Sequence, residues 1–219
     1  MTYPLYVPQE QIIKDRADFA RRGAHRGRPA VVLSASDGVL LGARNASRAL
    51  RKLSEVYDKM AFAAVGKWSE FEALRVAGIR YADLRGYAYD RVDVTARGLA
   101  GAYAQTIAAA FTGDPKPLEV EVAVAEVGED QLADSVFHVT FDGAVTDESP
   151  WAVLGGAPDG AAERLAADWR PGLDLREAGE LVRAALGSSG EAGAGSGIEA
   201  ALLRRGRVGR AFERLKALP

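Results

Sequence analysis

The chain has 219 residues, no cysteine, two histidines, and 28 Lys+Arg against 30 Asp+Glu, a formal charge of −2. That length suits one domain with a sizeable core, while the composition excludes disulfides, thiolate catalysis and sulfur-ligated zinc. His25 and His138 lie too far apart for a histidine-rich metal motif. Near-neutral charge gives no overall attraction to nucleic acid, no apolar run nears the roughly 20 residues of a membrane span, and the opening MTYPLYVPQE lacks the regions of a signal peptide, so a cytoplasmic protein is expected.

Residues 1–8 hold two prolines and two tyrosines without helical period and read as an extended arm. Residues 9–22 follow as a helix, with Ile12, Ile13, Ala17, Phe19 and Ala20 apolar, Arg21 and Arg22 in the last turn, and Gly23 placed as its stop. Residues 30–35 and 39–43 flank Ser36-Asp37-Gly38, a strong hairpin signal, and further strands are expected near 52–57 and at 61–65. Ser69-Glu70-Phe71-Glu72 fits a capping box for a helix that continues through Leu74, Gly78 and Ala82 to about Leu84. Thr95 starts a second helix through Leu99, Tyr103, Ile107 and Ala110, ended by Gly113 and Pro115.

Alternation from Leu118 to Ala125 marks a strand with one buried face. Its hairpin partner spans 136–141 before a second Asp-Gly pair, Asp142-Gly143. Residues 151–154 form a short apolar strand ending in Gly155-Gly156. Asp159 and Asp174-x-x-Glu177 then open two more helices. Residues 188–197 read as a mobile Gly/Ser loop, 198–203 as a strand, and 204–216 as a basic segment. This order of strands and helix pairs predicts an α+β fold with two stacked sheets and a helix pair on each outer side.

Residues 47–58 (SRALRKLSEVYD), 62–67 (FAAVGK), 86–91 (GYAYDR) with Asp93-Val94-Thr95, 103–106 (YAQT) and 119–127 (EVEVAVAEV) together resemble the alpha-type subunits of the 20S proteasome, most closely the actinobacterial ones. The match runs from the arm to about Leu186 and resumes near Ile198. The resemblance implies a four-layer αββα sandwich of the N-terminal-nucleophile hydrolase type, with residues 9–219 as one domain behind a gating arm, 1–8. It also implies seven-membered alpha rings stacked on catalytic beta subunits, protein substrates tagged with a small ubiquitin-like protein (the Pup-dependent pathway), and no cofactor.

An N-terminal threonine hydrolase needs a free Thr amine, a carboxylate and a lysine. By the resemblance, the nucleophile position falls on Arg28 and the carboxylate position on Arg44, and of the three only the lysine, Lys52, is kept. A non-catalytic subunit is therefore expected. The alternative is an active N-terminal threonine hydrolase using Thr2 after loss of Met1, but Thr2 precedes a Tyr/Pro arm and not a strand.

The resemblance makes Thr2, Tyr3, Pro4, Leu5, Tyr6, Val7 and Pro8 the gate over an axial pore. It makes Lys52 the receiver of the C-terminal carboxylate of a ring-shaped ATPase, in a pocket between adjacent alpha subunits that Gly27, Gly66 and Lys67 help line. The helix at 9–22 is expected to pack on the adjoining subunit. Tyr89-Asp90-Arg91 lies far from the N-terminus and is not the Tyr-Asp-Arg motif of archaeal and eukaryotic alpha subunits. The basic segment lacks the aromatic platform of a nucleic-acid binder and reads as a solvated surface strand and tail, and the Gly-rich stretch does not end as a phosphate loop does. His138 reads as a strand residue and His25 as a connector residue, neither with a metal partner.

Overall fold

Alternating side chains place one row of each central strand between two sheets and the other row under helices, and this sets the layering. The computed structural model describes residues 8–47, 49–156, 160–187 and 197–219. The gating arm except Pro8, the glycine/serine loop except Gly197, and Asp159 lie outside the described residues. Helix α1 (Gln9–His25) leads into strands β1 (Ala30–Ala35), β2 (Gly38–Arg44), β3 (Leu53–Tyr57) and β4 (Met60–Gly66). Helices α2 (Trp68–Ala88) and α3 (Ala96–Gly113) come next. Strands β5 (Val120–Glu126), β6 (Ser135–Val139), β7 (Val145–Asp147) and β8 (Trp151–Leu154) follow, then α4 (Ala161–Asp168), α5 (Leu175–Ala185), β9 (Ile198–Arg204) and β10 (Phe212–Leu215).

The strands form two five-stranded sheets, ordered β10-β9-β2-β1-β8 and β3-β4-β5-β6-β7. Every neighbouring pair is antiparallel. On β5, Ala123 and Ala125 face the other sheet, where they meet Val32, Leu41 and Leu154, while Val120, Val122 and Val124 face Leu99, Tyr103 and Ile107 of α3. On β1, Val31 and Leu33 meet Leu165, Leu181 and Val182 of α4 and α5. The result is the expected helix–sheet–sheet–helix stack, in which both faces of each sheet are covered except at the outer strand β7. Among the described residues no helix is long and apolar enough to cross a membrane.

The expected caps divide. Thr95 accepts the Gly98 N–H at 3.2 Å, and Asp174 with Glu177 forms a reciprocal capping box at 2.8 and 3.2 Å. The box expected at Ser69 is absent: α2 begins at Trp68 with Lys67 at its N-cap, and no side chain caps it. Glu72, the expected partner of Ser69, instead holds Arg75 on both oxygens at 2.6 and 2.9 Å, and Glu70 accepts the Glu119 N–H at 2.7 Å and bonds Lys116 at 2.8 Å.

Gly23 does not stop α1, which runs on to His25. The glycine serves close packing instead, since a Cβ there would lie 2.4 Å from Glu119 Cγ. Residues 204–216 contain the expected surface strand, but they are also tied to the core. They turn back as β10 on β9, and Arg205 forks onto buried Asp134 at 2.8 Å through both terminal nitrogens.

Gly78 gives a direct test of the α2–α3 contact, because a Cβ there would sit 1.8 Å from Tyr103 Oη, whereas one at Gly101 meets nothing within 4 Å. Gly78→Ala is expected to destabilise the subunit by about 1–3 kcal/mol through overpacking. Gly101→Ala, inside α3, should be neutral or stabilising by up to about 1 kcal/mol. Urea unfolding of the two variants checks the difference in sign.

Candidate functional site

The predicted pocket residues converge at the end of the sandwich where α1 joins β1. The connector after α1 presses Gly27 against the β4–α2 junction: a Cβ on Gly27 would lie 2.8 Å from the Gly66 nitrogen. Gly66 has φ +104, and a Cβ there would lie 2.0 Å from the Glu119 carbonyl oxygen. Only glycine meets both demands, a left-handed backbone and a bare approach to β5. One residue beyond Gly27, the Arg28 carbonyl accepts a hydrogen bond from Lys52 Nζ.

The backbone of Lys52 is held on both sides. Its carbonyl accepts the Ala64 N–H at 3.0 Å, and its own N–H donates to Glu199 at 3.0 Å. Burial pushes the Lys52 ammonium down to about 8; the Glu199 carboxylate opposes the fall and the Arg28 guanidinium adds to it. Lys67 follows Gly66 and donates its N–H to the Glu119 carbonyl at 2.9 Å, but its ammonium rests 3.1 Å from Glu70. The structure thus joins Lys52, Gly27, Gly66 and Lys67 through adjoining contacts, with the charge of Lys67 already balanced. Of the gate residues only Pro8 is described; it is the exposed N-cap of α1.

The positions that the resemblance assigns to nucleophile and carboxylate hold other groups. Arg28 lies within the chain, behind the 17-residue helix α1, and the group it offers Lys52 is a peptide carbonyl. Arg44 ends β2 and donates Nε to the Leu186 carbonyl at 3.3 Å.

Two groups escaped the sequence reading. Glu199, the one acid in β9 and its one charge before the terminal Arg204, is buried. It accepts from Asn45 at 2.8 Å, Arg214 at 2.9 Å and the Leu53 N–H at 3.4 Å as well as from Lys52. That lone acid in a strand pattern was the available signal.

His25 and His138, read as unconnected, both meet Glu121: His25 Nε2 at 3.0 Å and His138 Nε2 at 3.6 Å. Glu148 holds the other His138 nitrogen at 3.0 Å, and the Gly155 N–H donates to Glu121 at 3.0 Å. Burial works against both charges. The His138 contact and the Gly155 N–H nevertheless hold Glu121 at about 2, and Glu121 and Glu148 lift His138 to about 9. Among the described residues no group of three or more His, Asp or Glu could hold a metal ion, and this chain of contacts is an ion-pair network.

Comparison with known proteins agrees with the geometry. A family model described as "Proteasome subunit" matches residues 24–203. The chain belongs to the proteasome subunit family. It is 54% identical to "Proteasome subunit alpha" of Xylanimonas cellulosilytica, covering 98% of this chain and 93% of that protein. It is 53% identical to the "Proteasome subunit alpha" of Kineococcus radiotolerans, with 98% and 94% covered, and 51% identical to that of Renibacterium salmoninarum, with 99% and 93% covered. The likeness to actinobacterial alpha-type proteasome subunits read from residues 47–58 and 86–95 therefore holds, and the sandwich is of the N-terminal-nucleophile hydrolase type.

In this proteasome subunit the buried pair gives stability a pH signature. His138, raised from 6.5 to about 9, stabilises fully below about 6.5, and its contribution is lost as pH rises through 9. Glu121, lowered from 4.5 to about 2, stabilises above 4.5 and loses its contribution as pH falls through 2. The melting temperature of Glu121→Gln should therefore lie furthest below wild type near pH 6 and approach it above pH 9. Thermal melts of both chains from pH 6 to 10 check this, and a constant gap would contradict the assignment.

Proposed function

We propose that this chain is a non-catalytic alpha subunit of a 20S proteasome, which assembles rings, gates substrate entry and docks a ring-shaped ATPase. The observation that carries the reading is the bond from Lys52 Nζ to the Arg28 carbonyl. Where a threonine hydrolase would present an amine and hydroxyl to its lysine, this chain presents an internal peptide bond, and Arg44 stands in place of the carboxylate. Hydrolysis then belongs to partner beta subunits, and the substrates are tagged cytoplasmic proteins.

Lys52 receives the C-terminal carboxylate of the ATPase. An ammonium at the head of β3, fixed by backbone bonds on both sides and partly desolvated, can exchange its bond to the Arg28 carbonyl for a charge-assisted one to the incoming carboxylate. Gly27 and Gly66 supply the bare backbone beside it, and Lys67, tied to Glu70, borders the site.

Residues 1–8 form the gate because they enter α1 directly, and α1 is anchored. Arg16 of α1 caps the end of α3 through the carbonyls of Ala110, Phe111 and Asp114 at 2.8–3.2 Å. The exposed Ile12, Ile13 and Phe19 of α1 suit packing on the adjoining subunit, with residues 9–219 acting as one domain.

In particles co-expressed with the beta subunit, Lys52→Ala should weaken ATPase-stimulated degradation about tenfold or more, the loss of one charge-assisted bond. Stimulation of the wild type should decline as pH rises above about 8, where Lys52 loses its proton. An unchanged ATPase response would remove Lys52 from the site.

Deleting residues 2–8 should raise unstimulated peptide hydrolysis by the same particle. Equal rates would dismiss the gate. The active-hydrolase alternative predicts instead that the purified chain cleaves fluorogenic peptides on its own and that Thr2→Ala stops it.

A further inference from the structure

The basic segment at 204–216 has no place in docking or gating, and the fold shows what it builds. Sheet order puts β3 and β10 on one side of the sandwich and β7 and β8 on the other. β3 packs over β2 and β9, and β8 packs against β5 and β6. Among the described residues the two sheets therefore end in two opposite pairs of outer strands.

The edges differ in charge. The β3/β10 side carries Arg51, Arg204, Arg207, Arg210, Arg214 and Lys216 against Glu55, Glu199 and Glu213, while Asp58 and Glu72 beside it are held by Arg91 and Arg75, so cations remain in excess after these carboxylates are paired. A cleft of about 400 Å³ runs between this edge and α2, bordered by Arg51, Trp68, Arg75, Arg210 and Phe212. The Arg51 guanidinium makes no ion pair with any described residue, and Arg210 stays 71% exposed while holding Glu55 at 2.6 Å.

Across the molecule, all three residues of β7 are exposed: Val145, Thr146 and Asp147. Asp147 keeps 53% of its side chain in solvent, with Ser149 on one oxygen and Arg97 no nearer than 3.9 Å to the other. Asp142, in the turn before β7, is exposed as well.

We infer that the β3/β10 edge of one subunit receives the β7 edge of the next copy of this chain, with Asp147 and Asp142 facing Arg51 and Arg210. This rests on the ring reading given above and names the surface that closes the ring. Two basic edges repel each other, as do two acidic ones, so symmetrical edge pairing is disfavoured. A basic edge against an acidic edge joins copies head to tail, the arrangement that closes into a ring. The same contact covers strand edges that would otherwise pair with any exposed strand. It also places Lys52, the residue after Arg51, at a subunit boundary, where a pocket shared by adjacent subunits has to lie.

The test uses the full chain co-expressed with the beta subunit, with assembly read by native mass spectrometry. Arg51→Glu removes a cation that has no ion-pair partner among the described residues, and circular dichroism verifies that the free subunit stays folded. Arg51→Glu alone and Asp147→Arg alone should each cut the yield of assembled rings about tenfold, and the two combined in one chain should restore it, because every interface then regains an opposite pair. Single variants that assemble like wild type, or a double variant no better than the singles, overturn the contact. Wild-type chains that form no rings overturn the ring reading and the contact together.

The cysteine-free sequence supplies an independent readout. Arg51→Cys with Thr146→Cys, treated with a short bis-maleimide, should yield a ladder of covalent oligomers ending at the closed ring. Assembled particles that give no ladder overturn the inference.

Discussion

Backbone crowding at Gly27, Gly66 and Glu119 is the constraint on which this end of the molecule depends. Three segments with no sequence proximity meet there at distances that leave no room for a Cβ, so the α1–β1 connector lies directly on the strand ends where β4 finishes and β5 begins. Gly23 lets the last turns of α1 down onto Glu119 in the same way. A side chain at either connector glycine would lift α1 and carry the Arg28 carbonyl away from Lys52. The position of the lysine is thus set by what its neighbours lack.

Buried carboxylates fix what the glycines bring together. Glu121, Asp134 and Glu199 are each buried and each accept at least one backbone N–H as well as a cationic partner. Glu121 and Glu199 act at the end that holds α1, joining α1 to β5 and β6 and joining β9 to β3 and β10. Asp134 acts at the opposite end, where Arg205 and Ser34 converge on it. Desolvation offsets much of the attraction in such pairs, so their contribution lies less in net stability than in geometry. Losing one partner would strand a charge, and alternative placements of these strand ends are correspondingly costly.

Much of the fold was legible because it depends on local periodicity and local caps. The alternation along β5 records one face on α3 and the other on the second sheet, and Thr95 and Asp174 cap their helices through bonds that span three residues. The misreadings arise where another group competes. Glu72 was expected to close a local box with Ser69, but it pairs with Arg75 one turn on, and α2 already starts at Trp68. Gly23 reads as a helix stop only while Glu119 is unknown. β7 has no buried face and therefore no period to detect. The resemblance brought Lys52, Gly27, Gly66 and Lys67 into view, and the structure joins them, but the meeting of His25 and His138 on Glu121 depends on strand register, which spacing does not encode.

Glu199 links the two surfaces of the molecule that matter for its proposed work. Its carboxylate holds the N–H groups of Lys52 and Leu53 at the head of β3, and it also pairs with Arg214, which donates in turn to the Leu53 carbonyl. Lys52 and the cationic edge are therefore parts of one clamped strand. In the proposed ring, a neighbouring subunit pressing on Arg51 or Arg210 would act on the segment that orients the Lys52 ammonium. The proposed docking of an ATPase tail and the proposed closure of the ring would then draw on the same rigid element, and a complete Lys52 pocket would require an assembled edge.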